Sequence, residues 1–200
     1  EALLNARPAG VDLLIIETMS DVKELKTAVA AARALSPDIP IIAQMTFARD
    51  DRTLLGNTPH DVATQLTKLD VDAIGINCSS GPAQVLRLIS VLHEVAPEMP
   101  LSAAPNAGFP EQLDGGRVMY AATPGYFGEY ARSFVAAGAS LVGGCCGTTN
   151  AHIAAMRMAL DTPGALTRPF PTVKILSQPE QETAVSEPPT QLAQNLANGR

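Results

Sequence analysis

Five short apolar runs, separated by stretches of helical periodicity, leave this chain few folds to choose from. The runs are Val11–Thr18, Pro40–Phe47, Val71–Cys78, Pro100–Pro105 and Ser140–Cys145. They are apolar on both alternations, the pattern of strands buried on both faces. Between them lie amphipathic segments with recognisable starts. Ser20 or Asp21 caps a helix that turns Val22, Leu25, Val29, Ala32 and Leu35 inward. Thr58-Pro59 opens a second, with Val62, Leu66 and Leu69 on its inner face. Pro82 opens a third, with Val85, Leu88, Leu92 and Val95 inward. Thr123-Pro124 opens a fourth, with Phe127, Tyr130 and Phe134 inward and Gly138 stopping it. Thr149 or Asn150 caps a fifth, with Ile153, Met156 and Leu160 inward.

Each strand–helix pair occupies roughly thirty residues, the size of a βα unit. Such alternation means an α/β fold with a parallel sheet. An open doubly wound sheet and a closed (β/α)8 barrel both fit the pattern. Five units cannot close an eight-stranded barrel, but the chain begins at Glu1, without Met, inside a helical pattern. The expectation is therefore the C-terminal five units of a (β/α)8 TIM barrel, truncated at its N-terminus, over residues 1–168. Residues 169–200, rich in Pro, Gln and Glu, are expected to be a linker toward a further C-terminal domain.

A net charge of −6 over 200 residues argues against nucleic acid or an anionic membrane surface as partner. No run approaches the roughly 18 apolar residues that span a bilayer. Three cysteines, an odd number, argue against a disulfide framework and for reduced thiols in the cytoplasm.

Parallel α/β architectures place ligands at the C-terminal ends of their strands. The residues expected there are Glu17-Thr18, Gln44-Met45-Thr46, Asn77-Cys78, Asn106 to Gly108 and Gly143 to Gly147. All three cysteines fall on this rim, at the ends of two strands separated by only one other. Cys78, Cys145 and Cys146 are therefore candidate ligands of a single zinc ion, the flanking glycines permitting two adjacent residues to serve one ion. Three alternatives stay open: small buried apolar cysteines, a redox pair Cys145–Cys146, and a closed structural site. For the closed site His152 is the only plausible fourth ligand, since His60 and His93 lie away from the rim. Three anionic sulfurs would give a Zn²⁺ site a net charge of −1 and leave a further bound thiol electron-rich. That suits alkyl transfer to sulfur better than activation of water. The H-x-E and P-C-x-x-C motifs of zinc deaminases do not occur. Met45 is explained as well by the core as by the mouth, and Tyr120, Tyr126 and Tyr130 read as packing residues.

The segments INCS and GGCCGTT, preceded by a strand ending in ET and by PNAG, carry a resemblance to the homocysteine S-methyltransferase domain over roughly residues 1–165. That domain occurs in cobalamin-dependent methionine synthase, in betaine–homocysteine methyltransferase and in bacterial enzymes fused to a methylenetetrahydrofolate reductase. The resemblance implies that the five visible strands are barrel strands four to eight and that zinc sits on Cys78, Cys145 and Cys146. It implies homocysteine as the fourth ligand through sulfur, methionine as product, and Glu17 holding the substrate ammonium. A carboxylate at a strand end suits an ammonium partner. Asn77 and Asn106 join Glu17 as substrate-binding candidates. Methyl-folate, methylcobalamin, betaine and S-methylmethionine all remain open as methyl donor. The family's DGAMGT-like first-strand segment is not in these residues, so activity is expected of the longer parent protein. The tail lacks the GERTN-like opening of a pterin-binding domain and looks like the approach to a reductase domain.

Overall fold

Each apolar run becomes a strand, trimmed or shifted slightly at its ends. The computed structural model describes residues 10–162; the expected linker 169–200 lies outside the described residues. The strands are β1 (Leu14–Met19), β2 (Ile41–Met45), β3 (Ala73–Cys78), β4 (Leu101–Pro105) and, after a small hairpin, β7 (Ala139–Val142). They form one parallel sheet in the order β1-β2-β3-β4-β7. The helices are α1 (Val22–Leu35), α2 (Pro59–Leu66), α3 (Pro82–Val95), α4 (Pro124–Ala136) and α5 (Asn150–Asp161).

Local chemistry explains where the helices begin. Asp21 caps α1 by accepting the Lys23 N–H at 2.8 Å, and Thr58 and Asp61 cap α2 reciprocally, with Pro59 in its first turn. Val22, Leu25, Val29 and Ala32 are buried as the stripe predicts, whereas Leu35 at the end of α1 is 38% exposed. The last helix also departs from expectation. Its buried residues are His152 and Met156, four apart, while Ile153 is 46% exposed. α4 and α5 approach closely because Gly128 has no side chain: a Cβ there would lie 3.1 Å from the Ala155 carbonyl oxygen. That approach selects which face of α5 is covered. The segment between β4 and α4 also holds a short antiparallel pair that the sequence did not announce, β5 (Glu111–Gln112) and β6 (Val118–Met119).

One charged cluster ties the sheet to α1. Asp72 accepts the Ile41 N–H at 2.8 Å and Arg33 at 2.9 Å. The Ile41 N–H first, then Arg33, hold its carboxyl below the ordinary range. A carboxylate with a depressed folded pKa contributes stability above its unfolded value, and that stability is lost as pH falls through the folded value. Asp72→Asn is therefore expected to melt below wild type at pH 7, with the gap closing as pH drops below about 4. Thermal midpoints across that range check it, and a gap unchanged at low pH would contradict the assignment.

Candidate metal centre

The loops after β3, β4 and β7 converge at the C-terminal end of the sheet, held by main-chain bonds that extend the strand pairing. Gly143 N–H reaches Ala103 O at 2.9 Å, Cys145 N–H reaches Pro105 O at 2.8 Å, and Ala107 N–H reaches Cys146 O at 2.8 Å. The expected fifth strand stops at Val142, so Cys145 and Cys146 lie in the turn beyond it. The Cys145 carbonyl there accepts Thr148 N–H at 3.1 Å and Thr148 Oγ1 at 2.6 Å. Gly147 has φ +77, and a Cβ on it would come within 2.3 Å of the Tyr120 ring. Glycine is thus required both for the backbone and for the aromatic ring lying against it.

The three sulfurs meet. Sγ of Cys78, Cys145 and Cys146 lie within 4.8 Å of one another, and Cys145 Sγ is 3.9 Å from Cys146 Sγ. Tetrahedral zinc with thiolate bonds near 2.3 Å places its sulfurs about 3.8 Å apart, so the donor set and spacing fit that ion. All three cysteines are free; Cys146 is exposed and the other two are half-buried. Among the described residues, no histidine, aspartate or glutamate joins the cluster. His152 is not available to it. Its Nδ1 accepts the Thr149 N–H at 3.1 Å, which leaves the ring hydrogen on Nε2, donated to Ala122 O at 3.0 Å. The ring is 7% exposed and stands edge-on to Phe127. The structure thus has no closed four-ligand site built on His152.

The remaining candidates surround the cluster. Asn77 is fully buried. Its Nδ2 donates to Thr18 Oγ1 at 2.7 Å and to Glu17 Oε2 at 3.0 Å, and approaches Cys145 Sγ at 3.7 Å. Its Oδ1 accepts the Thr18 N–H at 2.8 Å. Thr18 has φ +58, a left-handed conformation that costs a β-branched residue about 1–3 kcal/mol, and these two Asn77 bonds hold it there. Cys78 and Ser79 are also left-handed, at φ +61 and +64. Asn106 braces that bend: its Nδ2 donates to Ser79 O at 2.8 Å and its Oδ1 accepts the Cys146 N–H at 3.1 Å. Glu17 is exposed on the rim. Met45 is buried in the core. Tyr120 does more than pack. Loss of solvent first, then Cys146 and, after it, Cys78 and Cys145, push its phenol above the ordinary range, so it belongs to the surroundings of the sulfurs. Nothing local in GRVMYAATP could have signalled this.

Known proteins resemble this chain in sequence and in fold. A family profile described as "Homocysteine S-methyltransferase" matches residues 1–160. The chain is 38% identical to the methionine synthase of Mycobacterium tuberculosis over 158 residues and 35% identical to that of Mycobacterium leprae. Each match covers 76% of this chain and 13% of the relative, so the chain spans a small part of those proteins. Among solved structures, the apo form of the homocysteine methyltransferase MmuM from Escherichia coli superposes with a TM-score of 0.60 at 28% identity. That match covers 80% of this chain and 52% of the neighbour. The metallated form of the same protein gives 0.58 at 31% identity, covering 78% and 47%.

Proposed function

The chain belongs to the homocysteine S-methyltransferase family, and from that premise we propose that the whole protein transfers a methyl group to the thiol of homocysteine, forming methionine. The observation that carries the reading is the convergence of three cysteine sulfurs, joined by no histidine, aspartate or glutamate among the described residues. Three protein ligands with one position left for a substrate is the arrangement of a catalytic zinc site rather than a structural one. Cys78, Cys145 and Cys146 would hold the ion. Zinc bound by three thiolates would lower the pKa of a substrate thiol from its free value of about 8.5 and leave the sulfur nucleophilic. Glu17 accepts the substrate ammonium. Asn77 and Asn106 act on the substrate through what they hold: Asn77 fixes Glu17 and Thr18, and Asn106 fixes the two cysteine loops. The chain's residues thereby orient the thiol for in-line attack on a methyl group, and positioning of this kind supplies much of a rate enhancement. The carbon–sulfur bond forms as the donor's methyl bond breaks, and the thiol proton passes to solvent.

The finer architecture is part of the same proposal: β1, β2, β3, β4 and β7 as strands four to eight of a closed (β/α)8 barrel within residues 1–168. Exposed apolar side chains on both outer strands support it. Ile15 on β1 is 53% exposed and Leu141 on β7 is 41% exposed, surface that further strands and helices would cover. Residues 169–200 are then a linker by their Pro, Gln and Glu content. Free cysteines are in keeping with a cytoplasmic protein. No helix among the described residues is long and apolar enough to cross a membrane.

Full-length protein should carry one zinc per chain. Offered homocysteine with methyl-folate, methylcobalamin, betaine or S-methylmethionine in turn, it is expected to form methionine with one of them. Chelation should stop the reaction and returned zinc should restore it. Metal-free protein working at the full rate would sink the proposal.

A further inference from the structure

The nitrogen of Asn77 carries two hydrogens and faces three acceptors: Thr18 Oγ1 at 2.7 Å, Glu17 Oε2 at 3.0 Å and Cys145 Sγ at 3.7 Å. The amide cannot be turned round, because its oxygen already takes the Thr18 N–H, which a second donor could not do. The side chain is fully buried, so the competition is settled among protein groups rather than by water. Thr18 is the nearest acceptor, and the Oδ1 bond to its own backbone locks it in place, so it keeps one hydrogen. The second hydrogen is divided between a carboxylate and a sulfur.

We propose that Asn77 is a positioning residue that couples the two ends of the substrate site. Its second N–H lies with Glu17 when the carboxylate is free and moves toward Cys145 Sγ when an ammonium neutralises that carboxylate. This rests on the function proposed above, in which Glu17 takes the ammonium and Cys145 is a metal ligand. An N–H directed at a thiolate withdraws charge from it and weakens it as a donor. Binding at the carboxylate end is therefore felt at the metal end, and the reverse follows by linkage. The coupling therefore distinguishes substrates that carry an ammonium from simple thiols.

A double-mutant cycle on cobalt(II) affinity of the full-length protein, read by chelator competition, tests the coupling. Glu17→Gln is expected to weaken cobalt binding by roughly three- to tenfold more in the wild-type background than in Asn77→Ala. A direct charge effect of Glu17 on the ion appears equally in both backgrounds, so equal factors would overturn the coupling while leaving the function intact. If Asn77→Ala does not fold, Asn77→Ser replaces it, and a second measurement needs neither. In cobalt-loaded wild type, 2-aminobutyrate, an amino acid with no sulfur, should shift the thiolate-to-cobalt absorption band, and should not do so in Glu17→Gln. No shift in wild type, or the same shift in the variant, overturns the proposal. Failure of wild type to show a cobalt–thiolate band at all would overturn both the coupling and the function beneath it.

Discussion

Cys78→Ser, Cys145→Ser and Cys146→Ser are each expected to weaken zinc binding by the full-length protein on the order of a hundred- to a thousandfold and to bring methyl transfer below detection. Zinc–thiolate sites hold their ion with roughly 10–16 kcal/mol shared over their ligands, so one thiolate of three is a large share. Serine's hydroxyl is not ionised at neutral pH and is a poor substitute. The same variants are expected to fold. Cys146 is exposed and Cys78 and Cys145 are half-buried, so little packing is lost, and the metal-free melting temperature should stay near that of metal-free wild type. This pairing of effects separates ligands from small core residues, for which stability would fall and metal content would not. Metal analysis after gel filtration, beside thermal melts of the stripped proteins, makes the measurement. Stoichiometric zinc retained by any one variant would remove that cysteine from the centre.

The pairing of loops that produces the centre was readable in outline because periodicity and placement are local signals. VDAIGINC and SLVGGC announce strands through their composition, and the rule that ligands gather at strand C-termini puts Cys78 near Cys145 without any knowledge of contacts. What periodicity could not supply are the bonds between residues far apart in the chain. Asn77 reaches Glu17 and Thr18 across the sheet, and no spacing in the sequence encodes that. Tyr120 arrives beside Cys146 from a loop whose two-residue strands are too short to alternate. The inner face of α5 differs from the expected one for a related reason. An apolar stripe favours Ile153, but a histidine with both nitrogens satisfied can be buried without penalty, and the close approach at Gly128 chose that face of α5. The shared principle is that burial follows satisfied pairs as well as hydrophobicity, and pairs become visible only in three dimensions.

Gly75 is another residue whose meaning is wholly tertiary, and Gly75→Ala is expected to destabilise the fold by about 3–5 kcal/mol. The glycine lies in β3 opposite Gln44 on one side and Ser102 on the other. Gln44 Nε2 donates to Ser102 Oγ at 2.7 Å across it, and both partners are buried. A Cβ at position 75 would lie 2.2 Å from Ser102 O and 2.7 Å from Ser102 Cβ. Neither is the end of a flexible side chain, so the strands themselves must part. Separation also strains the buried Gln44–Ser102 bond, and a buried polar group left without its partner adds its own desolvation penalty. At two to four degrees per kcal/mol for a protein of this size, the melting temperature should fall by roughly 6–20 °C. Gly125→Ala is the control: no atom lies within 4 Å of the added carbon, and in the first turn of α4 the change should be neutral or slightly stabilising. Because β3 ends at Cys78, the damage should reach the metal centre too, so zinc affinity in Gly75→Ala ought to fall along with stability. A variant that melts with wild type would show that β3 and β4 can separate freely, and the claim that their close approach sets the position of Cys78 would then be wrong.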